Sequence, residues 1–317
     1  MKYIGLQTQK RRNNLLSSVL LTLFPLLLVG LTWLFFFISL LMDSSLSPQN
    51  RMTIAHTEFL KVFPWVIGGC ALWFLIAYHF HMFIIRLATS SRSLERKENK
   101  RVYNLVENLC MSVGIPMPKI NVIEDDSLNA FASGINRKTH TITLSRGIIN
   151  KLDDDELNGV IAHELTHIRN NDVRLLIISI VFVGIFSFIS EMLMRSLRYA
   201  PARSNNNGKG NTAILFLIGF LLAAIGYFLA SLMRFAISRK REFMADAGAA
   251  EMTKSPWALA SALKKISEDP YIEAVKSEDV AQMFIEHTSK INKSSFAYRL
   301  FATHPPIEDR IRVLEQF

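Results

Sequence analysis

Two long apolar runs without a charged side chain constrain the fold of this chain more than any other feature. The first, Leu15–Met42, has 28 residues and no Asp, Glu, Lys or Arg, and the second, Val62–Ile85, has 24. About 20 apolar residues are enough for a helix to cross a bilayer. Basic residues Lys10–Arg12 precede the first run as in a signal peptide, but the run is too long for one and no small-residue cleavage site follows. Both runs therefore predict membrane helices, the first as an uncleaved anchor.

Two further apolar runs are shorter or less uniform. Leu175–Ser190 has 16 uncharged residues between Arg174 and Glu191, and Thr212–Met233 has 22. We expect both to form membrane helices, with a buried helix of the soluble domain as the alternative for the shorter run. A composition of 50% hydrophobic and 20% charged residues supplies the apolar surplus that four membrane helices need.

The positive charge of the chain lies beside these runs. The formal net charge is +9 without a nucleic-acid-binding motif, so we expect membrane flanks and no nucleic-acid partner. Basic residues are dense before the first run and after Ile85, which predicts that both segments are cytoplasmic. The loop between the third and fourth runs breaks the pattern with Arg195, Arg198, Arg203 and Lys209. Those two helices either cross despite this charge or form a hairpin that does not fully cross.

Two polar stretches remain, at about 93–172 and 235–317. The first predicts an amphipathic helix ending near Gly114, strands near Lys119–Ile123 and Thr139–Leu144, and a helix starting near Asp153. The acidic run at 153–156 suits the positive end of a helix dipole. The second stretch predicts helices with breaks at Pro256, Pro270 and Pro305–Pro306.

The helix predicted from Asp153 carries His-Glu-Leu-Thr-His at residues 163–167. Four residues advance a helix by about 400°, so His163 and His167 lie on one face and can reach one ion. Glu164 is rotated by about 100° from His163, where it can contact a metal-bound water without being a ligand. This is the H-E-x-x-H arrangement of zinc hydrolases, in which the glutamate takes the proton of that water.

A third protein ligand must come from elsewhere, because Asn170 stands where a longer histidine motif has glycine. The best candidate is Glu242, which shares a helix face with Asp246 one turn later. Glu242 could bind the metal while Asp246 holds a ligand or catalytic histidine in place. The alternative for Glu242 is an ion pair with a neighbouring arginine.

These motifs together resemble those of the HtpX-type integral membrane zinc metalloproteases, relatives of the CAAX prenyl proteases. The resemblance covers most of the chain: two pairs of apolar runs, the motif at 163–167 followed by Asn170 and Asp172, Glu242–Asp246, and Thr303–Pro306. It implies one zinc ion per chain, bound by His163, His167 and Glu242, with Glu164 as the catalytic base.

The resemblance also implies roles for residues outside the ligand set. It places His304 as a second catalytic residue, although the residues alone favour a turn or capping role for it. It places Asn129, Ala130, Phe131 and Ala132 in an edge strand beside the substrate, where the sequence alone fits a surface turn equally well. The residues expected around the ligands are Asp246, Asn170, Asp172 and Arg310.

The sequence thus predicts a mainly α-helical membrane protein with four membrane helices and a cytoplasmic α+β, zincin-like protease domain. Its segments are a membrane region at 1–92, protease parts at 93–172 and 235–317, and a second hydrophobic pair at 173–234. We expect a zinc endopeptidase of the bacterial inner membrane, in contact with lipid, that degrades misfolded or damaged membrane proteins in stress-related quality control. The alternatives are a non-catalytic scaffold or holdase with a structural zinc ion, and a zinc hydrolase acting on lipids.

Overall fold

The computed structural model describes residues 6–41, 46–199, 209–235, 239–272, 283–286 and 304–317 of the chain. Met42 and Thr303, which belong to predicted features, lie outside this set. The described residues are mainly helical, as the sequence predicts. Their helices are α1 (Leu6–Leu41), α2 (Pro48–Thr89), α3 (Lys100–Val113), α4 (Arg146–Lys151), α5 (Asp154–Arg169), α6 (Asp172–Tyr199), α7 (Lys209–Phe235), α8 (Arg239–Thr253), α9 (Pro256–Ile266) and α10 (Ile307–Leu314).

Four of these helices are long and apolar enough to cross a membrane, which confirms the predicted number. The candidate spans are Arg11–Leu41, Pro48–Thr89, Asp172–Ser196 and Ile214–Ser231. The third is longer than its 16-residue uncharged core, because α6 runs over 28 residues and includes the charged residues on both sides of that core.

The chain divides into two compact units, and the first contains most of the apolar helices, at residues 18–78 and 178–233. Inside this unit the rings of Phe24 and Phe182 stack with centroids 4.4 Å apart, and Trp73 Nε1 donates a 3.0 Å hydrogen bond to the carbonyl of Val181. Large apolar side chains such as Trp65 and Leu72 remain 80% and 58% exposed. Exposed side chains of this kind are expected where a helix faces lipid.

The second unit comprises residues 1–17, 79–177 and 234–317 and contains one sheet. Its strands are β1 (Arg92–Ser93), β2 (Lys119–Ile123), β3 (Ala130–Ser133) and β4 (Thr141–Ser145), in the spatial order β1-β2-β4-β3. β2 and β4 are parallel, with Lys119 opposite Thr141, whereas β3 is antiparallel to β4, with Ala130 opposite Leu144. β3 therefore forms one edge of the sheet, as expected for residues 129–132.

Local sequence signals determine where several of these elements start and end. Gly114 ends α3 in the left-handed conformation, at φ 65°, and Lys119–Ile123 is a strand as predicted. β4 starts two residues later than predicted, because the Thr139 hydroxyl accepts hydrogen bonds from the backbone of Ile135 and Asn136 in the preceding turn. The strand begins only where that turn is complete.

Helix α5 begins with a capping box and is held by α9. The Asp153 side chain accepts from the Glu156 backbone, and the Glu156 side chain accepts from the Asp153 backbone. The buried Glu156 carboxylate also accepts hydrogen bonds from Ser261 at 2.7 Å and Lys265 at 2.6 Å, both on α9. These contacts fix the start of the helix that carries the histidine motif.

Helix α8 packs closely against α5. A Cβ atom on Gly248 would lie 2.5 Å from Cγ2 of Thr166, closer than side chains approach each other in proteins. The glycine at 248 therefore permits the close approach of the helix that carries Glu242 to the helix that carries the two histidines.

Candidate active site

Helices α5 and α8 bring three metal-binding side chains together. His163 and His167 Nε2 atoms are 3.1 Å apart, and the Glu242 oxygens lie 3.6 Å from each of these nitrogens. His163 and Glu242 are buried, and the His167 side chain is 14% exposed. Within the described part of the chain, these three residues form a group whose ligand atoms all lie within 4.8 Å of one another.

The spacing of these atoms fits zinc. Ligand atoms about 2.0–2.2 Å from a tetrahedral zinc ion lie roughly 3.3–3.6 Å from one another. The measured separations of 3.1 and 3.6 Å bracket that value. The buried Glu242 Oε2 atom makes no hydrogen bond of regular geometry with the described residues, and its nitrogen neighbours are His304 Nδ1 at 3.3 Å, Arg310 Nη1 at 3.5 Å and His163 Nε2 at 3.6 Å. The sequence-predicted ligand set is thus assembled in the geometry that the ion needs.

A carboxylate holds the remaining nitrogen of each histidine. His163 Nδ1 lies 2.9 Å from Asp246 Oδ1, and His167 Nδ1 lies 3.0 Å from Asp172 Oδ2. Because an ionised carboxylate only accepts hydrogen bonds, each Nδ1 carries a proton and donates it. In the neutral form of each ring, Nε2 then presents its lone pair to the space between the ligands. Asp246 and Asp172 therefore occupy the orienting positions expected from the sequence.

Burial and the neighbouring charged groups shift the pKa values of the ligand residues in opposite directions. Burial lowers the pKa of His163, but hydrogen bonding to Asp246 and Glu242 outweighs it and raises the pKa to about 9. Burial raises the pKa of Glu242, but the positive charge of His304 and His167 lowers it well below its ordinary value. The site therefore keeps Glu242 ionised, which is the form in which a carboxylate binds a cation.

Glu164 lies beside this group and is 2% exposed. Burial raises the pKa of its carboxyl group above the ordinary value, although the histidine charges act in the opposite direction. The backbone N–H of Ala132 on β3 donates a hydrogen bond to the carboxylate. A buried carboxylate with a raised pKa is suited to accepting and returning a proton near neutral pH.

His304 and Arg310 both reach the ligand group. His304 Nδ1 lies 3.3 Å from Glu242 Oε2, and Arg310 Nη1 lies 3.5 Å from the same oxygen. Asp246, expected from the sequence to hold a ligand or catalytic histidine, contacts the candidate ligand His163 and also Arg310. The buried guanidinium and the imidazole together occupy both oxygens of Asp246.

A small cavity of ≈ 50 Å³ adjoins these residues. Its polar lining consists of the metal-binding group, Glu164, Asp172, Arg241 and His304. Its apolar lining comes from Ala132, Val173, Leu176, Met283, Phe284 and Ile285. The cavity therefore places apolar surface directly beside the candidate catalytic groups.

The outer edge of β3 is covered by residues 283–286 of the same chain. The backbone N–H of Ile285 donates a 2.9 Å hydrogen bond to the carbonyl of Ala130, and the Phe284 ring packs on Phe131 with centroids 4.7 Å apart. The Asn129 amide donates to the carbonyl of Glu286 at 2.9 Å. Residues 130–133 thus form a buried strand that is held on its outer side at Ala130 by residues 283–286, whereas the Ala132 N–H faces Glu164.

Sequence reasoning missed two contributors to the site. The segment Met283–Ile285 lines the cavity, and no motif marks it in the sequence. Asn13, in helix α1, donates a 2.6 Å hydrogen bond to Asp172, which in turn contacts His167. The sequence signal for Asn13 is a pair of amides at the boundary between the basic cluster and the first apolar run.

Comparison with known proteins agrees with this geometry. The model of the family described as peptidase family M48 matches residues 96–317, which include every residue of the candidate site named above except Asn13. The chain belongs to peptidase family M48. Membership in M48 and the four apolar helices make it a membrane metalloprotease, which acts on polypeptides and contacts a lipid bilayer.

Relatives of this M48 protein match over 73–100% of its length in the two examples that follow. A protein named "Protease HtpX homolog" from Bacteroides fragilis is 61% identical over 322 residues, covering 100% of both chains. A protein of the same name from Dictyoglomus thermophilum is 42% identical over 233 residues, covering 73% of this chain and 74% of its own. Among solved structures, Ste24p of S. mikatae covers 90% of this chain and 61% of its own, with a TM-score of 0.46 and 21% identity.

Proposed function

We propose that this protein is a zinc-dependent endopeptidase in which His163, His167 and Glu242 hold one ion and Glu164 is the general base. The observation that carries the proposal is the triangle of ligand atoms at 3.1–3.6 Å, with two orienting carboxylates behind the histidines and the buried Glu164 beside them. Zinc, when bound, would lower the pKa of a water molecule and polarise the carbonyl of the scissile peptide bond.

The residues of the chain would then move the protons. Glu164 accepts the proton of the attacking water and delivers it to the amine that leaves, for which its raised pKa is suited. His304, on the cavity wall, donates a hydrogen bond to the negative charge that develops on the substrate oxygen. Arg310 keeps Asp246 ionised, and Asp246 keeps the proton of His163 on Nδ1.

The substrates that fit best are polypeptides with apolar side chains near the cleaved bond. The apolar wall of the cavity, including Leu176 and Phe284, supports this preference. Asn129–Ala132 would align an extended substrate beside the site, once residues 283–286 leave the outer edge of β3. Misfolded or damaged membrane proteins meet both requirements, since they expose apolar, extended segments close to a membrane protease.

Hydrolysis of unfolded casein by the full-length protein in detergent tests the catalytic proposal. Wild-type protein should cleave casein, lose activity with a zinc chelator and regain it with added zinc. Glu164→Gln should retain stoichiometric zinc and lose at least about 10²–10⁴-fold in turnover. Glu251→Gln, an exposed glutamate on α8, is the matched control and should behave as wild type. Undiminished cleavage by Glu164→Gln, or cleavage that survives complete zinc removal, would contradict the proposal.

We further propose that the active site faces the cytoplasm at the bacterial inner membrane. The support is the density of basic residues before the first apolar run and after the second. The test is an Asp155→Cys variant, in which the two native cysteines are replaced by serine, labelled with a membrane-impermeant maleimide in spheroplasts. Labelling should occur only after permeabilisation, and labelling of intact spheroplasts would contradict the orientation.

A further inference from the structure

We propose that Asn13, in the N-terminal helix, is a positioning residue for the metal site and acts on His167 through Asp172. The inference rests on the proposed role of His167 as a metal ligand. Asn13 is 1% exposed and lies 157 residues or more along the chain from its hydrogen-bond partners. It lies two residues before the first apolar run, in a part of the chain for which the sequence motifs predict no function.

The two hydrogens of the Asn13 amide are both used near the ligand helix. Nδ2 donates a 2.6 Å hydrogen bond to Asp172 Oδ1 and a 2.8 Å hydrogen bond to the backbone carbonyl of Asn170. Asn170 is the residue that ends α5, where the last carbonyls of a helix lack partners within the helix. One buried amide thus fixes the end of α5 and the carboxylate at the start of α6.

Asn13 and His167 share the two oxygens of Asp172. Oδ2 of Asp172 accepts from His167 Nδ1 at 3.0 Å, while Oδ1 accepts from Asn13. A carboxylate held at one oxygen cannot rotate freely about its side-chain bonds, so Asn13 determines the direction in which the other oxygen faces the imidazole. Because that oxygen fixes both the ring orientation and the tautomer of His167, the effect of Asn13 extends to Nε2.

The nearby guanidinium of Arg241 does not replace the hydrogen bond from Asn13 to Asp172. Arg241 Nη1 is 3.9 Å from Asp172 Oδ1, beyond hydrogen-bond distance, and it lies 3.3 Å from the backbone carbonyl of the same residue. Removal of the Asn13 amide would therefore leave a buried carboxylate oxygen without its short hydrogen bond. Such a carboxylate is expected to reorient, and His167 with it.

The matched control lies next in the chain. Asn14 is also an asparagine of α1, but its side chain is exposed. It accepts a 3.1 Å hydrogen bond from Asn171, and the described contacts of Asn171 include no proposed metal ligand. Asn13→Ala and Asn14→Ala thus remove the same side chain from the same helix. Only the first removes a contact to Asp172.

The experiment measures zinc affinity of full-length protein by competition with a chromogenic chelator. Asn13→Ala should weaken zinc binding about 10–100-fold, the loss typical of removing a hydrogen-bond partner behind a metal ligand, whereas Asn14→Ala should bind as wild type. Asn13→Asp has almost the same shape as asparagine but faces a second carboxylate, so it should weaken zinc binding at least as much. The absorption spectrum of cobalt-substituted protein should shift in both Asn13 variants.

A double-mutant cycle distinguishes positioning from a general structural role. In an Asp172→Ala background, Asn13→Ala should change zinc affinity less than 2-fold, since its route to His167 is gone. An equal loss in both backgrounds, or wild-type affinity in both Asn13 variants, would overturn the inference. His167→Ala separates this result from the proposed function. If His167→Ala loses zinc while the Asn13 variants do not, the inference alone fails; if His167→Ala binds zinc normally, the proposed ligand set fails.

Discussion

Arg310 Nη2 donates a 2.8 Å hydrogen bond to Asp246 Oδ1, while Nε of the same guanidinium donates to Oδ2 at 2.9 Å. Both side chains are almost fully buried, at 0% and 1% exposure. Asp246 also accepts from His163, so its charge lies between a ligand imidazole and a guanidinium. The charge of Arg310 therefore stabilises the ionised carboxylate that orients a metal ligand.

Arg310→Ala should strongly destabilise the protein, because it leaves Asp246 as a buried charge without its main partner. A loss of about 3–5 kcal/mol is typical of such a change. Arg310→Lys should also destabilise, since an ammonium cannot form the paired hydrogen bonds of a guanidinium. Denaturant unfolding in detergent measures the effect. Arg312→Ala, on the same helix but 68% exposed, is the control and should change stability by less than about 1 kcal/mol; comparable losses at both positions would contradict this account.

Gly248→Ala should lower both stability and activity. The new Cβ would lie 2.5 Å from Cγ2 and 2.9 Å from Oγ1 of Thr166, which forces α8 and α5 apart and moves Glu242 relative to the histidines. Overpacking of this kind costs about 1–3 kcal/mol. The double variant Gly248→Ala with Thr166→Ala removes the clash and should recover part of the loss, as measured by unfolding and casein cleavage. No recovery in the double variant would show that the clash is not the cause.

His304→Ala should lower turnover by about 10²–10³-fold while zinc occupancy stays unchanged, as for loss of one hydrogen-bond donor to the developing oxyanion. Turnover should fall because His304 lies on the cavity wall, 3.3 Å from Glu242. Zinc should stay because His304 is outside the triangle of ligand atoms. Single-turnover kinetics together with metal analysis separate the two effects. A variant that loses zinc would identify His304 as a ligand, and one with normal turnover would leave it a structural residue.

The ionised Glu156 should stabilise the protein fully above the ordinary titration range of glutamate and progressively less as pH falls below it. Burial raises its pKa, but the hydrogen bonds from Lys265 and Ser261 outweigh burial and lower the pKa below the ordinary value. A lowered pKa in the folded state means that the stabilisation is fully present above the unfolded-state pKa of about 4.3 and is lost as pH falls. Glu156→Gln should therefore cost about 1–3 kcal/mol at pH 7 and much less near pH 3.

Unfolding curves of wild type and Glu156→Gln between pH 3 and 8 test this pH dependence. Glu268→Gln is the control, because Glu268 pairs with Lys151 but its side chain is 63% exposed. That variant should differ little from wild type at any pH in the range. A Glu156→Gln penalty that does not change with pH would contradict the charge-based explanation.

The features that the sequence predicted well are those encoded within short segments. The four apolar helices follow from uninterrupted runs, and the pairing of His163 with His167 follows from helical periodicity alone. Asp153 and Gly114 mark the ends of their helices through local hydrogen bonds and backbone conformation. Each of these depends on residues within a few positions of one another.

Contacts between distant segments were harder to predict. The sequence left open whether Asp246 would hold a ligand histidine or a catalytic one, and the structure shows contacts to His163 and to the distant Arg310. Asn13 carried no recognisable motif, because its function depends on where an asparagine packs and not on its neighbours in sequence. Such convergence is determined by tertiary packing, which periodicity and spacing do not encode.

If β3 aligns substrates as proposed, residues 283–286 compete with extended peptides for its edge. Any peptide that pairs with β3 must displace the hydrogen bond between Ile285 and Ala130 and the ring contact between Phe284 and Phe131. The apparent dissociation constant of the peptide is then the intrinsic constant divided by the fraction of protein molecules in which residues 283–286 have left β3. Because residues 283–286 belong to the same chain, their effective concentration at β3 is high, and weakly pairing peptides would compete poorly with them.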